Sequence, residues 1–189
     1  ADLHDDPARL RQRASGLGLG DLVGYGADPN AICERIRALW LNSPFLEWRV
    51  TGWKRTQLDM AAAIGRLPPF TKSPDGVPRE YTATLRKHWE FDTTLKPLEG
   101  FPLYLGWIAA MSDAHSKVHR GLSIRCPVLA MHSDEADMVL NWHHIARYAR
   151  GLGEDVTVLP FPGGVHDLVL SRPEIREAVF TQLFAWAAR

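Results

Sequence analysis

The last third of the chain alternates two apolar runs with two amphipathic stretches, and this order limits the possible folds more than any other feature. The apolar runs are residues 126–131 and Val156–Pro160, and each ends at turn-forming residues. Residues 142–150 read as a helix with Asn141 as its N-cap, and Ser171 begins a capping box before a second helix. Strand, helix, strand, helix predicts an α/β domain with a right-handed crossover and a parallel sheet.

A third apolar run and a long aromatic stretch lie upstream. Residues 36–41 end at turn formers and predict a further strand of the same sheet. Residues 48–120 then contain four tryptophans and six prolines. A connection of this length predicts a helical lid or cap inserted into the core formed by residues 35–47 and 121–189. The alternative is that these tryptophans fill a small core of the insertion itself.

Composition excludes several classes of protein. The 189 residues include 22 basic and 22 acidic side chains, and 46% are hydrophobic, which is too apolar for a disordered chain. A net charge of +0 gives no electrostatic reason to expect nucleic acid as a partner. No apolar run approaches the ~18 residues of a membrane span, and the N-terminus lacks a signal-peptide core. Cys33 and Cys126 form no disulfide framework or metal motif, so we expect a cytoplasmic protein without metal or cofactor.

His166 is the strongest local candidate for chemistry. It follows two glycines directly after the strand at Val156–Pro160, and ligands of open parallel sheets bind beyond the carboxyl ends of strands. Imidazole is suited to taking up and returning a proton near neutral pH. A carboxylate after the neighbouring strand, Asp134 or Asp137, would orient the ring. The plainer interpretation is that His166 only stabilises the end of a strand and that the acidic residues after the neighbouring strand form a solvated turn.

These segments resemble a known family. The segments PVLAMHSDEADMV and GGVHDLVLS resemble the C-terminal end of the α/β-hydrolases, in the branch of lysophospholipases, monoacylglycerol lipases and serine-aminopeptidase-like proteins. Upstream, LNSPFLEW, YTATLRKHWEFDTTLKPLEGFP and GWIAAMSDAH are similar to the family's sixth strand and lid, so the resemblance covers residues 35–189. It implies a Ser-His-Asp triad with His166 as the histidine and Asp137 as the acid. Asp134 is the second choice, because the residues that follow Asp137 resemble the acid motif better.

The family's nucleophile motif, Gly-x-Ser-x-Gly, does not occur in this sequence. In one alignment residues 16–20, GLGLG, occupy the elbow and Gly18 stands where the serine belongs. In the other, Ser15 is the nucleophile but lacks the preceding glycine. Ser43 and Ser123 have no glycine framing and are interpreted as structural. The nucleophile therefore stays unknown, and residues 1–34 are interpreted as a remnant or altered elbow region.

The missing elbow has a consequence for the sheet. The resemblance covers the last three strands of a partial α/β-hydrolase fold, so the strand at 36–41 would lie at an open edge. An open edge invites pairing with another chain, which predicts self-association unless residues 1–34 cover it. The chain is then a C-terminal fragment, a chain with an altered N-terminal region, or an inactive relative of the family.

The resemblance implies hydrolysis of carboxylic esters by a Ser-His-Asp mechanism, with the nucleophile missing or degenerate. Ester, peptide and thioester substrates are all compatible with these residues, and the aromatic insertion favours a lipid-like or acyl ester. The alternative is a catalytically inactive protein that uses the same crevice for binding or interaction.

Overall fold

The computed structural model describes residues 17–19, 37–74, 87–92 and 102–189. Within these ranges the strands are β1 (Leu17–Leu19), β2 (Ala38–Asn42), β3 (Val128–His132) and β4 (Val156–Pro160). The α-helices there are α1 (Trp53–Gly65), α2 (Leu105–His119), α3 (Trp142–Tyr148) and α4 (Pro173–Ala187). Short 3₁₀ turns occupy Ala149–Gly151 and Leu168–Leu170. None of the helices in these ranges is long and apolar enough to cross a membrane.

The four strands form one parallel sheet in chain order, β1-β2-β3-β4. Asn42 pairs in register with Met131, and Met131 pairs with Leu159. The carboxyl ends of β2, β3 and β4 therefore meet at the same edge of the sheet. This parallel sheet with flanking helices confirms the predicted α/β class, and β1 adds a fourth strand to the three that were predicted.

The central strands β2 and β3 are buried on both faces, which explains why they are apolar without alternation. On one face, Leu39 and Val128 belong to a core cluster that includes Leu152. On the other face, Trp40 and Leu129 pack in a cluster with residues of α4. Each fully buried side chain of this size contributes about 1.5–3 kcal/mol. Every residue of β3 is buried, so this strand is the centre of the core.

The edge at residues 36–41 is covered where the structure describes it, which is the case that the prediction of self-association had set apart. Leu17–Leu19 pair in parallel with residues 38–40, with Gly18 opposite Leu39. A strand can pair through backbone groups alone, so this glycine-rich segment, in which one alignment placed the nucleophile elbow, forms a strand at Leu17–Leu19. The predicted self-association through this edge therefore loses its structural basis.

The predicted element ends shift by small amounts. The strand predicted at 126–131 begins at Val128, and the carbonyl oxygen of Pro127 accepts a hydrogen bond from Leu39 at 2.9 Å. The helix predicted at 142–150 is α-helical only to Tyr148 and continues as a 3₁₀ turn. The predicted N-cap is confirmed, because the side chain of Asn141 accepts the His143 N–H at 3.0 Å.

The predicted capping box at residues 171–174 is wrong. The residue before α4 is Arg172, and no side-chain hydrogen bond caps that helix, although Pro173 occupies its first turn as expected. The Ser171 hydroxyl instead accepts the N–H of Val165 at 3.0 Å. Ser171 is buried, and a tertiary contact has replaced the local one.

The described part of the insertion contains the packed pair α1 and α2. Ala62 and Ile108 form a small cluster against which Trp48 packs. Gly65 allows the close approach of the two helices, because a Cβ there would lie 2.1 Å from the carbonyl oxygen of Leu105. Trp53, in contrast, is 70% exposed. The tryptophans of residues 48–120 thus do not all serve one core.

Candidate active site

The structure places His166 and Asp137 in direct contact. Nδ1 of His166 lies 3.1 Å from Oδ2 of Asp137, and the histidine side chain is 17% exposed while the carboxylate side chain is fully buried. The loop that carries His166 turns at Gly163, whose φ of 76° favours glycine. At Gly164 a Cβ would lie 2.7 Å from a methyl carbon of Leu168, so the loop closes tightly at this point. The carboxylate after β3 and the imidazole after β4 meet at the carboxyl edge of the sheet.

The Asp137 carboxylate is held on both of its oxygens. Oδ1 accepts the backbone N–H of Val139 at 2.7 Å and that of Leu140 at 2.9 Å. Burial raises the pKa of the Asp137 carboxyl, but the hydrogen bond and charge of His166 and the two N–H groups outweigh it, so that pKa lies below its ordinary value. The residue is therefore ionised at neutral pH. When Nδ1 of His166 carries the ring proton and donates it to Asp137, Nε2 is the acceptor nitrogen of the ring.

Asp134, the second choice for the acid, has a different position. Its Oδ1 accepts the N–H of Gly163 at 3.0 Å and that of Ala136 at 3.1 Å. The hydrogen bond from Gly163 is the main reason why the pKa of the Asp134 carboxyl lies below its ordinary value. Asp134 thus ties the loop after β3 to the loop after β4, and the carboxylate that reaches His166 is that of Asp137.

Asn42 holds the histidine loop from the other side, a role that the sequence interpretation missed. Its Nδ2 donates to Oδ1 of Asp167 at 2.6 Å, and its Oδ1 accepts the N–H of Leu168 at 3.2 Å. Ser133 donates its hydroxyl to the carbonyl oxygen of Gly164. In the sequence, Asn42 was interpreted only as a turn former. Its position at the end of β2 could have revealed its role, because the side chain there lies at the same sheet edge as the loops after β3 and β4.

A cavity of about 660 Å³ opens beside His166. Its walls come from the end of β2 and the turn after it, from residues 89–91 of the insertion, from the loop after His166 and from α4. The indole N–H of Trp89 donates to the carbonyl oxygen of Ser171 at 2.6 Å and attaches this part of the insertion to the core. The insertion thus contributes walls to the same cavity as His166.

The candidate nucleophiles differ in where they lie relative to the cavity beside His166. Gly18 lies within β1, and Ser15 lies outside the described residues. Ser123 is exposed before β3. Ser43 is the one serine among the described residues that line the cavity, and it has a φ of 46°. Pro44 follows it, so the backbone N–H that a nucleophile elbow supplies to the oxyanion is absent there.

Comparison with known proteins places the fold. No family model matches the sequence, and no curated protein matches it. A monoacylglycerol lipase from Paleococcus ferrophilus is similar in structure, with a TM-score of 0.64 and 18% identity over 84% of this chain and 61% of the lipase. A soluble variant of monoglyceride lipase from Saccharomyces cerevisiae, in complex with a substrate analogue, is also similar in structure. Its TM-score is 0.61, with 16% identity over 87% of this chain and 58% of the lipase. The chain spans about three fifths of the length of these structures.

Proposed function

We propose that this chain, which has part of the α/β-hydrolase fold, carries the acid–base half of a carboxylic ester hydrolase. His166 takes the proton from the attacking oxygen and returns it to the leaving alcohol. Asp137 keeps the ring in the required orientation and stabilises the imidazolium that forms. The observation that carries the proposal is the 3.1 Å contact between Nδ1 of His166 and the buried Asp137 carboxylate.

The chemistry requires an oxygen nucleophile on the Nε2 side of His166. A serine attacks the ester carbonyl, loses its proton to Nε2 and forms an acyl-enzyme, and water then repeats the sequence to release the acid. Where no serine stands in that position, the pair activates water alone, which gives a far smaller rate. The identity of the nucleophile is therefore the point on which the activity of this chain depends.

The cavity favours an ester with an apolar acyl group. Its volume of about 660 Å³ falls within the roughly 300–1,000 Å³ typical of small-molecule sites. Trp40, Trp89 and Phe180 contribute aromatic surface to its walls. We assign the insertion at residues 48–120 the role of a lid, because its residues 89–91 line the cavity and would exclude water from the ester.

A second candidate is a binding protein without catalysis. The observation that favours it is the position of Gly18, which one alignment places where the serine belongs and which lies within β1 opposite Leu39. In this case the same cavity would bind an acyl compound and leave it unchanged.

A fluorophosphonate probe distinguishes the two candidates, because it reacts with serines that an adjacent base activates. We expect one serine of the intact chain to be labelled, with the label located by peptide mass spectrometry. The matched variant His166→Ala should lose the label. Absence of labelling together with absence of ester turnover would support the binding role instead.

A further inference from the structure

Three residues that line the cavity carry buried hydrogen-bonding groups without partners in the described part of the chain. The groups are Nε1 of Trp40, Oγ of Ser43 and Nε of Arg176. Trp40 and Ser43 are only 7% and 4% exposed. Buried donors are nearly always paired in folded proteins, so three unpaired groups on residues that line one cavity indicate a ligand that supplies acceptor oxygens.

Arg176 gives the cavity a fixed positive charge. The centre of its guanidinium lies 4.3 Å from the centre of the Trp89 ring and 5.7 Å from that of Phe180, so the group lies close to aromatic rings of both the insertion and α4. It forms no ion pair with any residue that the structure describes, and it is the one lysine or arginine in the described lining. A cation that lines a cavity beside aromatic rings attracts an anion to that cavity.

Two carboxylates, those of Asp167 and Glu90, also line the cavity. Asp167 is engaged through its Oδ1 by the side chain of Asn42. Glu90 is exposed and has an interaction of its own. Neither carboxylate forms a salt bridge with Arg176.

We infer that the cavity binds a substrate carrying an anionic oxygen group, a carboxylate or a phosphate, at Arg176, with the donors of Trp40 and Ser43 completing its hydrogen bonds. This inference rests on the proposed function for the position of the ester, which lies at His166 while the anion lies toward α4. The planar guanidinium presents paired N–H groups that match the oxygens of both anions. The substrate class is therefore an acyl ester with an acidic group, rather than a neutral ester.

The test measures binding with matched probes. Octanoate, octyl phosphate and the neutral octanamide are titrated into the intact chain at neutral pH and low salt, with tryptophan fluorescence and calorimetry as readouts. We expect at least one anion to bind about tenfold more tightly than octanamide, which is the scale of one charge-assisted hydrogen bond. A preference for one anion assigns the group as carboxylate or phosphate, and equal affinity for all three probes overturns the inference.

Two variants locate the effect. Arg176→Gln should bring the affinity for the anions down to that for octanamide. Arg172→Gln removes the same charge from an exposed position just before α4 and should leave the preference unchanged. Circular dichroism verifies folding of both variants. If Arg176→Gln keeps the preference, then Arg176 only holds Trp89 in place, and the inference is wrong.

Failure of this inference differs from failure of the proposed function. Binding of these probes needs no nucleophile and no turnover. A chain that selects anions but hydrolyses no ester would contradict the hydrolase proposal alone, whereas hydrolysis without anion selection would contradict the anion site alone.

Discussion

Asn42 at the end of β2 and Asp167, the residue after His166, are joined by a hydrogen bond of 2.6 Å. Because Asn42 also accepts the N–H of Leu168, one side chain fixes the backbone on the C-terminal side of the imidazole. The strand that carries Asn42 is separated from β4 by β3. The orientation of His166 thus depends on three strands rather than on its own loop.

Replacement of Asn42 by alanine should lower both the turnover per folded molecule and the stability of the protein. Small displacements of a catalytic group can cost about 10²-fold in rate, whereas the two lost hydrogen bonds cost about 1–3 kcal/mol. We expect kcat for 4-nitrophenyl esters to fall while KM changes little. Asn141→Ala is the matched control, since it removes a helix cap worth ~1 kcal/mol at a residue outside the described cavity lining. Equal losses of turnover in the two variants would contradict the positioning role.

His166→Ala should abolish ester turnover, with a loss on the order of 10⁴-fold or more. It should also lower the free energy of unfolding by about 1–3 kcal/mol, because it removes the partner of Oδ2 of the buried Asp137. Steady-state kinetics and urea unfolding measure the two effects. His143→Ala, which changes an exposed histidine on α3, is the control. Turnover per folded molecule that survives in His166→Ala would refute the general-base role.

Asp137→Asn should reduce kcat by about 10⁴-fold, since an amide favours the wrong tautomer of the ring. Asp134→Asn should have a much smaller effect, because its Oδ1 binds backbone N–H groups of Gly163 and Ala136 rather than the imidazole. The ratio of kcat values for the two variants decides between the carboxylates. A larger loss in Asp134→Asn would assign the acid to that residue.

Burial lowers the pKa of the His115 imidazole, a change that the hydrogen bond to the Phe45 carbonyl oxygen only partly offsets. The unfolded chain therefore binds a proton at His115 more readily than the folded protein. Stability should fall as the pH drops below the ordinary value of 6.5. Urea unfolding between about pH 5 and 7 should give a flatter pH dependence for His115→Gln than for the parent chain. An unchanged slope in His115→Gln would contradict the prediction.

The order of strands allowed the sequence to predict that a carboxylate after β3, Asp134 or Asp137, lies near His166, and the family resemblance selected Asp137. Parallel strands that are adjacent in the chain bring their carboxyl ends together, so residues just after β3 and β4 had to be neighbours. The role of Asn42 could not be read in the same way, since it depends on the register of β2 against two other strands. Ser171 shows the reverse case. The capping-box pattern was present in the sequence, but the Ser171 hydroxyl accepts a hydrogen bond from Val165 instead of capping the helix.

The pairing of β1 with β2 could not be predicted from the sequence for another reason. Gly18 and its neighbours carry almost no side-chain signal of a strand, and only backbone pairing with residues 38–40 defines one. The secondary structure of a glycine-rich segment of this kind is determined by the strands that lie beside it.

Three hydrogen bonds join the loops after β3 and β4. They link Asp134 to Gly163, Ser133 to Gly164 and Asp137 to His166. The two loops must therefore shift as a single body when the sheet flexes. A protein engineer who wished to transplant the histidine–carboxylate pair into another scaffold would need to carry both loops across intact. Grafting the two side chains alone would leave their separation to chance.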